Sequence, residues 1–304
     1  MLNIMPFLKL IRAPAGFTAI SNILATSVIV SNGQLDWSLL YLLSASVCFY
    51  FSGMTLNDCF DYKEDLAERA FRPLPSGQIS IGFAWLFGFG LMIAGLGMAF
   101  AFSQASGVIG MFLCLAIVLY NGVIKDGLLG SFCMASCRYV NWIFGASFVL
   151  MFATSKQSLS QNLSSIDYFI AVPIFFYIAG LTYLSKQETS AANKQAVWVT
   201  AFFIFCSAIS SLFLAHMHFE LFDWQRYIAY GIVILWSLLM LNKLRVVFAD
   251  FVPENIQKLI GFMVIGVIPL DALITAMAGH YLYSLFILAL LPPCRMLNKK
   301  LYVT

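Results

Sequence analysis

Long apolar runs separated by short polar stretches repeat along the whole chain, near 14–31, 38–56, 82–102, 106–122, 133–154, 168–185, 197–217, 226–242, 259–278 and 281–297. A helix needs roughly 20 apolar residues to cross the ~30 Å hydrocarbon core of a bilayer, and most of these runs approach that length. No water is available there to satisfy a free backbone, so each run is predicted to be a helix. Two features complicate the end of the pattern. The last run contains Pro292-Pro293, which predicts a half-span or a kinked helix, and Ala278-Gly279-His280 is a tight join for a full reversal. The chain therefore reads as one all-α, polytopic membrane helical bundle over 1–304, with nine or ten transmembrane helices.

Composition turns that pattern into a class. Hydrophobic residues are 61% and charged residues 10% of the 304 residues, and mean hydropathy is +0.88. Soluble globular chains carry roughly 25% charged residues, so this chain cannot cover a water-facing surface. Disorder, a coiled coil, a secreted disulfide scaffold and nucleic-acid binding are excluded, and membrane lipid is the expected surrounding. The seven cysteines are scattered through the spans. Cys133 and Cys137 can share a helix face, but without His or carboxylate neighbours they make a poor metal site and read as packing residues.

The position of charge says more than the net value of +3. Lys9 and Arg12 precede the first run, and Lys63, Arg69 and Arg72 follow the second. Lys125 follows the fourth, Lys186 and Lys194 the sixth, and Lys243, Arg245 and Lys258 the eighth. Arg295, Lys299 and Lys300 end the chain. The opposite connections carry Lys156 and Arg226 among the acidic Asp36, Asp167, Glu220 and Asp223. The positive-inside rule puts the N-terminus and the even connections in the cytoplasm and favours ten crossings. No cleavable signal peptide is predicted, and the expected location is the cell inner membrane.

The chemistry concentrates after the second run. Five of the 14 acidic residues fall between 58 and 68, in Asn57-Asp58-Cys59-Phe60-Asp61-Tyr62-Lys63-Glu64-Asp65 and its continuation. If the membrane helix continues without a break, Asp58, Asp61 and Asp65 share one face, with Asn57 a turn before Asp61. Like charges on one face at a bilayer boundary need a cationic balance. Mg²⁺ takes hard oxygen ligands and is typically held by one or two carboxylates plus substrate phosphates. Lys63, Arg69 and Arg72 offer further positive charge for a phosphate. The bland alternative is a solvated acidic helix end.

The segment Asn57-Asp58-x-x-Asp61-x-x-x-Asp65, with Arg72-Pro73-Leu74-Pro75-Ser76-Gly77 behind it, resembles the first aspartate-rich signature of the UbiA superfamily of membrane prenyltransferases. The likeness extends over nearly the whole chain, and Tyr120-Asn121-Gly122-Val123-Ile124-Lys125 is similar to the family's Tyr…Lys element. The stretch 136–145 resembles the EboC-like branch. The resemblance implies a helical bundle around a cavity open to lipid. It also implies Mg²⁺-dependent transfer of an isoprenyl group from a prenyl diphosphate to an aromatic or other lipophilic acceptor. Carried over to this sequence, Asp58, Asp61 and Asp65 would ligate Mg²⁺ with Asn57 in support. Lys63, Tyr120, Lys125, Arg138 and Arg72 would contact the substrate, with Asn141 and Lys186 beside them. The 29 Phe, 13 Tyr and 6 Trp include candidates for shielding a carbocation through their π faces.

The second aspartate-rich signature expected after the sixth run is degenerate: 184–194 holds one carboxylate, Glu188, between Lys186 and Lys194. Either Glu188, with Asn193, completes a modified metal site while a lysine takes over part of the neutralisation, or the protein has become a non-catalytic UbiA-like carrier of a lipophilic precursor. Arg138 falls about two turns inside the fifth run, where a charge needs an anionic partner or must snorkel. Asp271, beside Pro269, is either a proton acceptor for the substrate or a structural hydrogen-bonding partner. His216, His218 and His280 lie at the opposite face and receive no role.

Overall fold

Each apolar run forms a helix, and polar caps, glycines or prolines end it. The computed structural model describes residues 4–152, 167–217 and 222–302. The end of the fifth expected span, Lys156, His218 and Glu220 lie outside the described residues. The helices are α1 (Met5–Leu10), α2 (Gly16–Val30), α3 (Leu39–Phe60), α4 (Tyr62–Glu68), α5 (Ile81–Phe102), α6 (Gln104–Gly122) and α7 (Gly127–Ala146). They continue with α8 (Val172–Ser185), α9 (Ala196–Met217), α10 (Asp223–Ala249), α11 (Pro253–Ile265), α12 (Val267–Met277), α13 (Tyr281–Leu288) and α14 (Leu291–Tyr302). No strand occurs among the described residues. Ser80 and Ser103 cap α5 and α6 by accepting from the amides of Phe83 and Ser106 at 3.3 and 3.0 Å.

Among the described residues, nine helical stretches are long and apolar enough to cross a membrane. Helix α7 is not one of them, because Arg138, Asn141 and two serines lower its hydropathy. It nevertheless runs inside the bundle, against α2, α6 and α8. Counting α7 gives ten passes. The α11–α12 span is interrupted at Gly266, three residues before Pro269, and starts at Pro253, earlier than the apolar run suggests. The last span is broken between α13 and α14, as Pro292-Pro293 led one to expect. Tyr283 donates to the Gly33 carbonyl at 2.7 Å and Cys294 to that of Pro14 at 3.2 Å, so α13–α14 runs antiparallel to α2. The first and last described residues therefore lie at one end of the bundle, which fits an even number of passes.

Small residues set how closely these helices approach. The pair α3 and α5 packs most extensively. A Cβ on Gly95 would meet the Phe49 ring at 2.8 Å and the Ala45 carbonyl oxygen at 3.2 Å. Gly95→Val should therefore destabilise the protein by about 1–3 kcal/mol, the usual range for overpacking. Thermal unfolding in detergent checks this, and an unchanged midpoint would contradict the close approach. At the α11–α12 interruption, the Tyr177 hydroxyl donates to the Met263 carbonyl at 2.9 Å, satisfying an acceptor near the break. A Cβ on Gly266 would lie 2.4 Å from that hydroxyl oxygen, so the bond needs glycine there.

Trp142, Phe144, Tyr177 and Phe49 are fully buried. Leu86, Ile93, Phe112, Leu129 and Phe202 are exposed, as side chains facing lipid would be. The even connections meet at the end of the bundle where α1 and the end of α14 lie, and the candidate site is there.

Candidate active site

Helix α3 ends at Phe60, but its hydrogen-bond ladder carries on through the interruption: Asp61 N–H donates to the Asn57 carbonyl and Asp65 N–H to that of Asp61, at 3.0 and 2.9 Å. The helical register read from the sequence therefore survives a one-residue break, and all three aspartates turn inward. Asp58 is 4% exposed and Asp65 fully buried.

Each carboxylate has its own cationic partners. Asp58 Oδ1 lies 3.2 Å from Arg12 Nη2 and 3.5 Å from Arg72 Nη1. Asp61 Oδ1 pairs with Lys125 Nζ from the α6–α7 connection. Asp65 holds Arg69 Nη1 at 3.1 Å through one oxygen and Arg72 Nη1 at 2.8 Å through the other. Asn57 accepts from Arg12 Nη2 at 3.3 Å and donates to Asn121 Oδ1 at 3.1 Å. Asn121 in turn donates to the Gly53 carbonyl at 3.3 Å, which ties α6 to the end of α3.

Of these groups Arg12, Asn57, Asp61, Arg69, Arg72 and Lys125 border a cavity of about 570 Å³. Six cationic side chains line it, those of Arg12, Arg69, Arg72, Lys125, Arg138 and Lys186, against the four carboxylates of Asp61, Glu64, Asp126 and Glu188. The surplus is positive, which suits a multiply charged anion. A smaller, mainly apolar cavity of about 80 Å³ adjoins it between α2, α3, α6 and α7. Tyr50, Met54, Tyr120, Met134 and Arg138 line both. The arrangement is a cationic chamber with an apolar limb, and two tyrosine rings and one guanidinium stand at the neck.

Lys186 is half-buried in the chamber wall, its Nζ 5.9 Å from the centre of the Tyr120 ring, with no ion-pair partner among the described residues. Burial first, and then the Lys125 charge, hold its ammonium below the ordinary lysine range. A bound anion reverses this, because it favours the charged form. Anion affinity should therefore fall as pH rises through the depressed Lys186 value, and Lys186→Arg, which stays protonated, should flatten that fall. Titrations of a prenyl diphosphate between neutral and alkaline pH check this; parallel profiles for the two proteins would refute it.

The structure distributes the expected site residues between ion pairs and the chamber wall. Among the described residues no three carboxylate, His or Cys side chains converge on one point. Asp65 is occupied by two arginines and does not line the chamber. Glu188 Oε1 lies 3.6 Å from Arg69 Nη2, and its backbone carbonyl accepts from Gln257 at 3.1 Å, which ties the α8–α9 connection to α11. Glu188→Gln should accordingly cost only a few-fold in turnover, as for a partly exposed ion pair; complete loss would return Glu188 to the metal. Lys63 is exposed and outside the chamber lining. Asn141 lines only the apolar limb, accepting from Ser46 at 2.7 Å.

What remains fits Mg²⁺ that shares its coordination with a substrate phosphate. Asp61 lines the chamber, and Asp58 and Asn57 stand on the same face behind it, one or two carboxylates and an amide oxygen. Sequence reasoning gave no role in the site to Arg12. It adopts a left-handed conformation (φ 46°) two residues before Pro14 and reaches Asn57 and Asp58 from 45 and 46 residues earlier in the chain. Its place ahead of a proline-started span was the available signal.

Comparison with known proteins agrees with this architecture. The family model described as "UbiA prenyltransferase family" matches residues 19–303. The chain belongs to that family. Among curated UbiA-type relatives, digeranylgeranylglyceryl phosphate synthase of Methanosarcina barkeri is 31% identical over 143 residues, covering 44% of this chain and 50% of the relative. Protoheme IX farnesyltransferase of Bdellovibrio bacteriovorus is 33% identical over 101 residues, covering 32% and 33%. The chain thus spans about half the length, or less, of these curated relatives. A UbiA homologue from Archaeoglobus fulgidus, solved bound to GPP and Mg²⁺, superposes with a TM-score of 0.63 at 15% identity, over 90% of this chain and 99% of that one. At that identity the likeness shows the fold.

Proposed function

We propose that this UbiA-family protein is a Mg²⁺-dependent prenyltransferase that moves an isoprenyl group from a prenyl diphosphate to an aromatic or other lipophilic acceptor within the membrane. The observation that carries this reading is the joining of a cationic chamber to an apolar limb at one neck. A prenyl diphosphate has the same polarity, a charged head on an apolar tail. The A. fulgidus homologue, solved with GPP and Mg²⁺, supports the same pairing of ligand and fold.

Arg12, Arg72, Lys125, Lys186 and Arg138 bind and orient the diphosphate. Asp61, with Asp58 and Asn57, would hold Mg²⁺, which when bound supplies Lewis-acid stabilisation of the leaving group. The C1–O bond of the donor breaks, and the electron pair leaves with pyrophosphate into the chamber. The allylic cation left behind lies by Tyr50 and Tyr120, whose ring faces stabilise positive charge. The acceptor's nucleophilic atom closes the new bond to C1 and gives up its proton to an oxygen of the released pyrophosphate. The apolar limb excludes water, which would otherwise capture the cation. The named relatives act on different acceptors, so the acceptor is assigned by class alone. The basic even connections support a chamber mouth on the cytoplasmic side of the inner membrane.

The test is pyrophosphate release in proteoliposomes given Mg²⁺ and prenyl diphosphates of several chain lengths, with and without lipophilic acceptors. Acceptor-stimulated release with a chain-length optimum supports the enzyme. Movement of labelled prenyl diphosphate across the vesicle without release would make the protein a carrier.

A further inference from the structure

Deep in the bundle a second polar chain runs from α12 to the neck. Asp271 on α12 is fully buried and lines neither the chamber nor its apolar limb. Its Oδ2 accepts from Ser21 Oγ at 2.5 Å and from Asn22 Nδ2 at 2.7 Å, both on α2. The amide of Asn22 is thereby turned so that its Oδ1 faces the other way, where Arg138 Nη1 donates to it at 3.1 Å. Arg138 Nη2 donates to Thr18 Oγ1 at 2.7 Å, and its guanidinium lies 5.2 Å from the centre of the Tyr50 ring. Asn141 adds a longer contact to the same Asn22 oxygen, at 3.5 Å. No carboxylate pairs directly with Arg138 among the described residues.

The choice of residue at 271 is informative. Ser21 and Asn22 need only an acceptor, which a neutral side chain could provide. What a carboxylate adds is a second acceptor oxygen and negative charge: Oδ1 of Asp271 is buried toward the indole N–H of Trp142, which has no other hydrogen-bond partner. Charge inside a membrane bundle is expensive and requires an opposite charge within reach. The opposite charge at the other end of this chain is Arg138. Asn22 holds the two apart, so Arg138 is compensated without being capped by a salt bridge.

We propose that Asp271 is a positioning residue for prenyl transfer: through Asn22 it fixes the guanidinium of Arg138 at the neck and leaves it open to the anionic head of the donor. This rests on the prenyl-diphosphate reading given above. It replaces a direct role of Asp271 as proton acceptor from the substrate, since Asp271 touches neither cavity.

The test compares binding of geranyl diphosphate and of geraniol to purified wild-type protein, Asp271→Asn, Arg138→Gln and the double variant. Asp271→Asn should weaken diphosphate binding roughly tenfold, the scale for outer partners that orient a ligating group, while geraniol binding is unchanged. In the Arg138→Gln background the same substitution should do nothing further. Equal loss for diphosphate and alcohol, an additive loss in the double variant, or no effect each overturns the proposal. If Asp271→Asn does not purify intact, Asn22→Ala breaks the same chain and is read the same way. Wild-type protein that binds no diphosphate at all would instead defeat the prenyl-diphosphate reading itself.

Discussion

Asp61→Asn should lower turnover by about 10²–10³-fold, the largest loss expected from any single substitution in the chamber. The size follows from its two tasks. Asp61 is the one aspartate of the 57–65 segment that both lines the chamber and faces Lys125, and it leads the residues that would hold Mg²⁺. Losing several kcal/mol of stabilisation on a departing pyrophosphate corresponds to two or three powers of ten in rate. The substitution also frees Lys125, which raises local positive charge, so donor affinity without metal should be kept or improved. Steady-state pyrophosphate release and metal-free donor binding, measured together, check both halves. A variant with normal turnover would remove Asp61 from the reaction.

Asp65→Ala should act differently, through stability. Asp65 is fully buried and takes one arginine on each oxygen, Arg69 at 3.1 Å and Arg72 at 2.8 Å. Breaking a buried pair by deleting one partner costs about 3–5 kcal/mol. The lower end applies here, since the arginine side chains keep 16% and 20% exposure and so a path to water. The released arginines also lose the geometry that aims Arg72 at the diphosphate chamber. Thermal unfolding should therefore fall markedly while the Mg²⁺ concentration dependence of the remaining activity stays as in wild type. A stable protein with a weakened Mg²⁺ requirement would make Asp65 a metal ligand after all.

Much of this was legible from residue order. Apolar runs of membrane-spanning length predict helices because the backbone has no other way to satisfy itself in lipid, and the helical spacing of Asp58, Asp61 and Asp65 put them on one face correctly. Helix α7 shows the limit of that reading. Its hydropathy is depressed by Arg138 and Asn141, which face other helices and not lipid, so a polar residue inside the bundle looks in sequence like an argument against a span. What spacing could not give was partnership across the bundle. Asp65 and Glu188 carry the right chemistry for metal, but arginines that reach them through the α4–α5 loop claim them first. Arg12, Asn22 and Asp271 are joined to the site by contacts between α2, α3, α7 and α12, with sequence separations of 45 to 250 residues. No local pattern encodes such contacts.

The central claim is that the chamber binds a prenyl diphosphate with Mg²⁺ through Asp61. Calorimetric titration of geranyl diphosphate into the detergent-purified protein, with and without Mg²⁺ and beside Asp61→Asn, tests it most directly. The account predicts saturable binding that Mg²⁺ strengthens in the wild type and leaves unchanged in the variant. Binding that ignores Mg²⁺ in both proteins, or no binding in an intact wild type, would contradict it.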